Sequence, residues 1–274
     1  MPSLLSIDES ICTYCGLCAA ACPMGLVTVD GHLPQTPDEA ETRCVLCGHC
    51  IAACPEMSLS HRELDSDQCH PLLADWRSTP EVIEQLIKGR RSIRRYRPDA
   101  VEKPVLEAVL ETARFAPTGM NSQTVEWLVV YDREEVRKLA SAVIEWMRAL
   151  STKNELVAGS YNPGPLVATW DAGYDPILRG CPHVIIAHGK ASDSFAQGSC
   201  TIALTTLELA ALPYQLGTCW AGFLHLATRC SPQVHEALGL PTGNVMHGGL
   251  MIGYPAEEYH AIPPRKPLRI EWRY

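Results

Sequence analysis

The chain has 274 residues, 46% hydrophobic and 20% charged, with a net charge of −8; this excludes a disordered chain and argues against a nucleic-acid partner held by bulk charge. No run approaches the roughly 18 apolar residues that span a bilayer, and the opening MPSLLSIDES lacks the basic and apolar regions of a secretion signal. The expectation is therefore a soluble, cytoplasmic protein with no membrane and no nucleic-acid partner, in a reducing compartment that favours metal-bound thiolates over disulfides.

Charge and cysteine divide the chain. Residues 1–75 hold eleven acids and two bases, while residues 76–274 hold twenty acids and twenty-one bases. Nine of the thirteen cysteines fall within the first 69 residues. Two domains are expected, 1–75 and 76–274, with the join near His70–Pro80.

The first domain carries one pattern twice. Cys12, Cys15, Cys18 and Cys22-Pro23 read C-x-x-C-x-x-C-x-x-x-C-P, and Cys44, Cys47, Cys50 and Cys54-Pro55 repeat it 32 residues later. Two-residue gaps let three thiolates of one loop curl around a single cluster, while the fourth Cys, a helical turn further on, reaches the other cluster. The expected ligand sets are Cys12, Cys15, Cys18 and Cys54 for one 4Fe–4S cluster, and Cys44, Cys47, Cys50 and Cys22 for the second. Gly16, Gly48 and the neighbouring alanines let backbone N–H groups approach the sulfurs. Zinc is the alternative for such cysteines, but zinc sites use paired C-x-x-C units rather than triplets with a distant fourth Cys before Pro. Residues 4–62 closely resemble the bacterial two-cluster ferredoxin domain. Cys69 lies outside the pattern and is read as a spare thiol.

Onward from the join, periodicity predicts a helix over 80–89, followed by Arg90-Arg91-Ser92-Ile93-Arg94-Arg95-Tyr96-Arg97. Five arginines in eight residues are either an anion site, since Arg suits bidentate phosphate contact, or a solvated basic turn. A helix over 102–115 leads into Ala116-Pro117-Thr118-Gly119-Met120-Asn121-Ser122-Gln123. Strand Trp127–Asp132 and a helix over 133–150 come next. Residues 151–175, rich in Gly, Pro and aromatics, read as a long insertion, either a lid over the site or a self-packed surface loop. Strand His183–Gly189, a long apolar helix over 195–216, and short strands at 217–224 and 245–253 complete the pass. G-x-G-x-x-G, P-loop and H-E-x-x-H signatures are absent. His183 and His188 end an apolar strand and are read as structural; Cys181, Cys200, Cys219 and Cys230 are read as buried small hydrophobes.

The Arg segment, the 116–123 loop, Gly217-Thr218-Cys219-Trp220-Ala221-Gly222-Phe223 and Gly248-Gly249-Leu250-Met251-Ile252-Gly253-Tyr254-Pro255 followed by Arg265-Lys266-Pro267 resemble, in this order, the nitroreductase family of FMN enzymes over about residues 80–269. The resemblance implies an α+β fold around a mostly antiparallel sheet and an intertwined homodimer with FMN at the interface. It places Arg90 and Ser92 at the FMN phosphate and ribityl end, where Arg265 also reaches the phosphate, counts Arg91 among the cofactor-binding residues, and places Arg94 near the pyrimidine edge. Pro117, Thr118, Asn121 and Gln123 would come from the other subunit's loop. Trp220, Ala221 and Gly222 would lie at the ring, with the backbone N–H groups of Ala221 and Gly222 toward N5 and O4. Arg94 would then be the electrostatic catalytic residue and Ala221 the backbone donor. The family's Asn and Lys upstream of the middle strand are missing, leaving Arg179 as the basic residue of that segment.

The function expected is an iron–sulfur flavoprotein oxidoreductase that passes electrons from two 4Fe–4S clusters to FMN and on to a small electron-poor acceptor such as a nitroaromatic or quinone. Two alternatives stay open. In one, NAD(P)H reduces FMN and the clusters export electrons to a redox partner protein; in the other, the chain is a non-catalytic redox sensor or electron store.

Overall fold

The computed structural model describes residues 4–64, 69–157 and 159–274. The chain forms two compact units, Met1–Arg77 with Met120–Ser122, and Ser78–Gly119 with Gln123–Tyr274.

The first unit is a doubled loop–helix motif closed by a short ribbon. Strands β1 (Leu5–Ile7) and β2 (Leu59–His61) pair antiparallel, with Ser6 opposite Ser60. Between them lie the short helices α1 (Leu17–Ala21), α2 (Ala40–Arg43) and α3 (His49–Ala52). The sequence repeat is also a backbone repeat. Tyr14 and Leu46, Gly16 and Gly48, and Gly25 and Met57 all have positive φ, each pair 32 residues apart. Gly16 and Gly48 sit at the N-caps of α1 and α3 with φ of 75° and 69°, a conformation glycine adopts without penalty. Leu5, Cys18, Val27, Ile51 and Leu59 form the small core. So few apolar side chains give a domain of this size little stability of its own.

The second unit is built on a four-stranded antiparallel sheet, β3 (Glu126–Val130), β4 (His183–Lys190), β6 (Asn244–Gly253) and β5 (Gly217–Trp220), in the order β3-β4-β6-β5. Both faces are covered. Val184 and Ile186 join the core beneath α6 (Arg133–Thr152), α7 (Gly164–Asp171), α9 (Gly222–Cys230) and α10 (Pro232–Ala237). Ile185 and Ala187 join the core beneath α5 (Lys103–Ala113) and α8 (Ala196–Ala211). Burial on both faces explains why β4 is a continuous apolar run instead of an alternating one. At Gly248 an added Cβ would lie 2.7 Å from Leu204 Cδ1 and 2.9 Å from Trp220 Cζ3, so the missing side chain lets α8 press onto β6. Asp132 caps α6 by accepting from the N–H groups of Glu134 and Glu135, at 2.7 and 3.2 Å.

The α+β reading with an antiparallel sheet agrees with this architecture. Three details differ from the sequence reading. The segment 151–175 is not an irregular insertion: it contains α7, whose Leu166 and Val167 are buried in the core beneath α6. The apolar helix expected to 216 ends at Ala211 and passes into a 3₁₀ turn at Leu212–Tyr214, where Pro213 stops the hydrogen-bond ladder. Cys181, Cys200 and Cys219 are buried, but Cys230, at the last turn of α9, is exposed. Helix α4 (Pro80–Gly89) buries none of its residues, although Val82, Ile83 and Ile87 give it an apolar face.

Candidate functional site

In the first unit the thiols gather in two groups. One hollow is lined by Cys12, Cys15, Cys18 and Cys54, together with Gly16, Val29 and Ser58. A second is lined by Cys22, Cys44, Cys47 and Cys50, together with Gly48 and His61. These are the two crossed sets expected from the spacing, each with three thiols of one loop and the fourth of the other. The donors around them repeat as well. Leu26 N–H reaches Cys22 Sγ and Ser58 N–H reaches Cys54 Sγ, both at 3.3 Å. Polar side chains break the symmetry. Ser58 Oγ lies 3.2 Å from Cys54 Sγ, and His61 Nε2 lies 3.7 Å from Cys44 Sγ. Because His61 Nδ1 accepts from Glu63 N–H at 3.0 Å, the ring proton sits on Nε2 and points at Cys44. Eight thiols in two fours, with backbone and side-chain donors aimed at the sulfurs, fit a pair of 4Fe–4S clusters.

In the second unit the Arg segment is laid along the sheet. Ile93 N–H donates to Thr218 O of β5 at 2.9 Å, and Arg97 N–H donates to Tyr254 O at 2.9 Å. Gly217 makes the approach possible, since a Cβ there would fall 2.4 Å from Ile93 Cγ1. The five arginines then separate by partner. Arg90 faces the buried Glu208 at 3.5 Å. Arg91 caps α4 by donating to the carbonyls of Lys88 and Gly89. Arg95 pairs with Glu257 at 2.8 Å, and Arg97 stands 3.9 Å from Asp99 and over the Tyr254 ring. Arg94 donates to the Ser92 carbonyl at 3.4 Å and has no carboxylate partner among the described residues.

Glu208 is the residue the sequence reading missed. It is 5% exposed and accepts from Thr218 Oγ1 and Trp220 Nε1, each at 3.1 Å, as well as from Arg90. A carboxylate buried this deeply requires such partners. The network ties the start of the Arg segment to the 217–222 turn. An acid alone within the apolar run 195–216 was the available signal.

One expectation is corrected. Ala221 N–H is engaged with Gly249 O at 2.8 Å, extending the β5–β6 ladder, and its methyl is buried; it has no amide proton left to offer a cofactor. The next residue differs: Gly222 opens α9, its N–H has no partner among the described residues, and an added Cβ would meet nothing within 4 Å. Cys219 Sγ lies 3.8 Å from Trp220 O; burial pushes its thiol up while the Arg94 charge draws it back.

The remaining predicted residues lie elsewhere. Arg90 and Arg91 border a hollow between α4 and Leu212–Gly217, whereas Arg94 borders a different one. Thr118 Oγ1 accepts from Gln123 N–H at 3.0 Å, and Pro117 and Gln123 are exposed. Asn121 belongs to the first unit, donating from Nδ2 to the carbonyls of Val45 and Leu46 at 3.0 Å. Arg265 lies on the exposed carboxy-terminal tail.

With this geometry in place, comparison with known proteins identifies the class. Residues 87–254 match the nitroreductase family and residues 11–58 match the 4Fe-4S dicluster domain. An NADH dehydrogenase of Thermus thermophilus is 31% identical over 190 residues, 64% of this chain and 88% of that protein. The FMN reductase (NAD(P)H) of Bacillus subtilis is 29% identical over 204 residues, 68% of this chain and 70% of that protein. Among solved structures, a Bacteroides fragilis nitroreductase with bound FMN shares the fold at a TM-score of 0.55 and 24% identity, covering 70% of this chain and 96% of that one. The chain belongs to the nitroreductase family, and within it carries an amino-terminal 4Fe–4S dicluster domain.

Proposed function

We propose that this protein is an iron–sulfur, FMN-dependent oxidoreductase that reduces a small electron-poor acceptor. The observation that carries the reading is the gathering of eight thiols into two crossed fours on the same chain as a nitroreductase-family domain. When bound, the clusters supply one-electron steps and FMN converts between one- and two-electron chemistry.

The chain's own residues have definite tasks in this reading. Cys12, Cys15, Cys18 and Cys54 hold one cluster, and Cys44, Cys47, Cys50 and Cys22 the other. Arg90 and Ser92 face the FMN phosphate and ribityl end, with Glu208 fixing the direction of the Arg90 guanidinium. Arg94, free of carboxylates, stabilises negative charge at the pyrimidine edge. Gly222 N–H takes the donor task that Ala221 cannot perform. Arg265 adds to the phosphate end, and Pro117, Thr118 and Gln123 complete the site from a second copy of the chain. The homodimer is supported by the uncovered apolar face of α4 and by the exposed Leu268, Ile270 and Trp272 of the tail.

A second reading, in which NAD(P)H is the donor and the clusters export electrons, is favoured by the names of the similar proteins. Anaerobic titration of the purified protein separates the two. Bleaching of the flavin band by a reduced ferredoxin or dithionite, with no bleaching by NADH or NADPH, supports electron entry through the clusters. Rapid bleaching by a pyridine nucleotide assigns the donor to the second reading.

A further inference from the structure

A hollow in the second unit, of about 1140 Å³ including its open mouth, is lined by Arg94, Arg133, Arg137 and Arg179, with Trp170, Tyr174 and Asp175. The four arginines come from three places in the sequence: the Arg segment, the first two turns of α6, and the turn before β4. None forms an ion pair among the described residues, and the neighbouring carboxylates of Asp132, Glu135, Asp171 and Asp175 each have other partners. Asp132 caps α6. Glu135 pairs with Lys138 at 2.6 Å, and Asp171 with Arg148 at 2.8 Å. Asp175 faces the hollow, but its two oxygens accept from the N–H groups of Ile177, Leu178 and Gly180 at 2.8–3.0 Å.

That last arrangement is a built turn. It holds Arg179 at a φ of +61°, between Gly173 at +92° and Gly180 at +62°. A left-handed arginine is an uncommon backbone state that the surrounding hydrogen bonds must enforce. Aromatic faces complete the wall: Arg137 lies 5.6 Å from the centre of the Trp170 ring, and Tyr174 is 73% exposed. Four like charges converging on one hollow repel one another, and an anion offsets that repulsion. Guanidinium forks suit carboxylate and phosphate, and the exposed Tyr174 ring with the half-buried Trp170 ring beside them suits a flat partner.

We infer that this hollow binds a planar aromatic or heteroaromatic ligand bearing two or more negative charges. Two sources share that chemistry: the phosphorylated adenosine of a pyridine nucleotide donor, and an aromatic polycarboxylate acceptor. Arg94 is shared with the flavin set proposed above, and Arg179 stands in the segment whose family counterparts lie near the flavin, so the inference stands on Arg133, Arg137 and Trp170 and does not need that assignment.

The test is calorimetric titration of the purified full-length protein, with its cofactors as isolated, using adenosine 2′,5′-bisphosphate, benzene-1,3,5-tricarboxylate, and neutral adenosine and benzamide as controls. At least one anionic probe should bind and both controls should fail. The probe that binds more tightly names the source. The Arg133→Gln/Arg137→Gln variant should weaken binding by about tenfold or more, the effect of removing charge-assisted hydrogen bonds to the anion, and Arg133→Lys/Arg137→Lys should recover part of it. Trp170→Ala should weaken binding several-fold. Anionic probes binding no better than the controls, or equally well to the glutamine variant, would overturn the inference. So would loss of FMN from that variant, read by absorbance after dialysis, because the hollow would then belong to the flavin. Failure of the flavin reading itself would show separately, as wild-type protein without a flavin band.

Discussion

Glu208 shows how much of a site can rest on one buried charge. Three donors converge on its carboxylate, and two of them, the Thr218 hydroxyl and the Trp220 indole, have no other acceptor among the described residues. Glu208→Ala should therefore destabilise the protein by about 1–3 kcal/mol, the usual cost of leaving buried donors unsatisfied, lowering the melting temperature by roughly 2–10 °C at this size. A melt indistinguishable from wild type would remove Glu208 from any structural role. His61 acts on the other unit. Its N–H toward Cys44 would favour the more negative, reduced state of the cluster proposed for that thiol. His61→Leu should shift one cluster to a more negative potential in an EPR-monitored titration and leave the other in place; equal shifts in both would contradict the asymmetry. At this scale the grouping of the cysteines into two fours was legible because spacing alone predicts it. Glu208 and His61 were not, since each acquires its role only through residues brought to it by the fold.

Among the elements, β4, β6 and α9 carry histidines kept neutral by their surroundings. Burial lowers the proton affinity of His183, His188, His225 and His247 below the ordinary value of 6.5. His183 is fixed in one tautomer, with Nδ1–H toward Tyr131 O at 2.6 Å and Nε2 accepting from Val101 N–H at 2.8 Å. Since the unfolded chain takes up these protons near 6.5 and the folded chain only at lower pH, stability is held above about 6.5 and falls as pH drops below it. Thermal melts at pH 7.5 and 5.5 should show a clear loss at the lower value; an unchanged midpoint would mean that folding leaves the proton affinity of these histidines unaltered. Helix α4 makes a different prediction. Ile83→Glu with Ile87→Glu should convert the proposed dimer into the 30.1 kDa monomer in light scattering, whereas an unaltered mass would remove α4 from the proposed interface. The sheet strands were readable from apolar runs, and α4 from its period. Helix α7 was not, because Gly164, Pro165 and the short length mimic loop composition, and tertiary packing on α6 rather than propensity makes it helical.

The whole molecule joins two chemistries by covalent fusion, which raises the effective concentration of each unit for the other. The first unit is strongly acidic, with eleven acids against three bases. Division into two halves was visible from charge and cysteine density. The identity of the second half was visible only as four weak motifs in order, since no single one of them carries a distinctive spacing. What motif matching misplaced was the Ala221 amide, because a ladder hydrogen bond cannot be read from the letters around it. The central claim is that both inorganic and flavin cofactors reside on one polypeptide. Anaerobic purification followed by iron, sulfide and flavin analysis tests it most directly: about eight irons and eight sulfides per chain, with one FMN released on denaturation, is the result predicted. Zinc in place of iron, or a preparation without flavin, would contradict it.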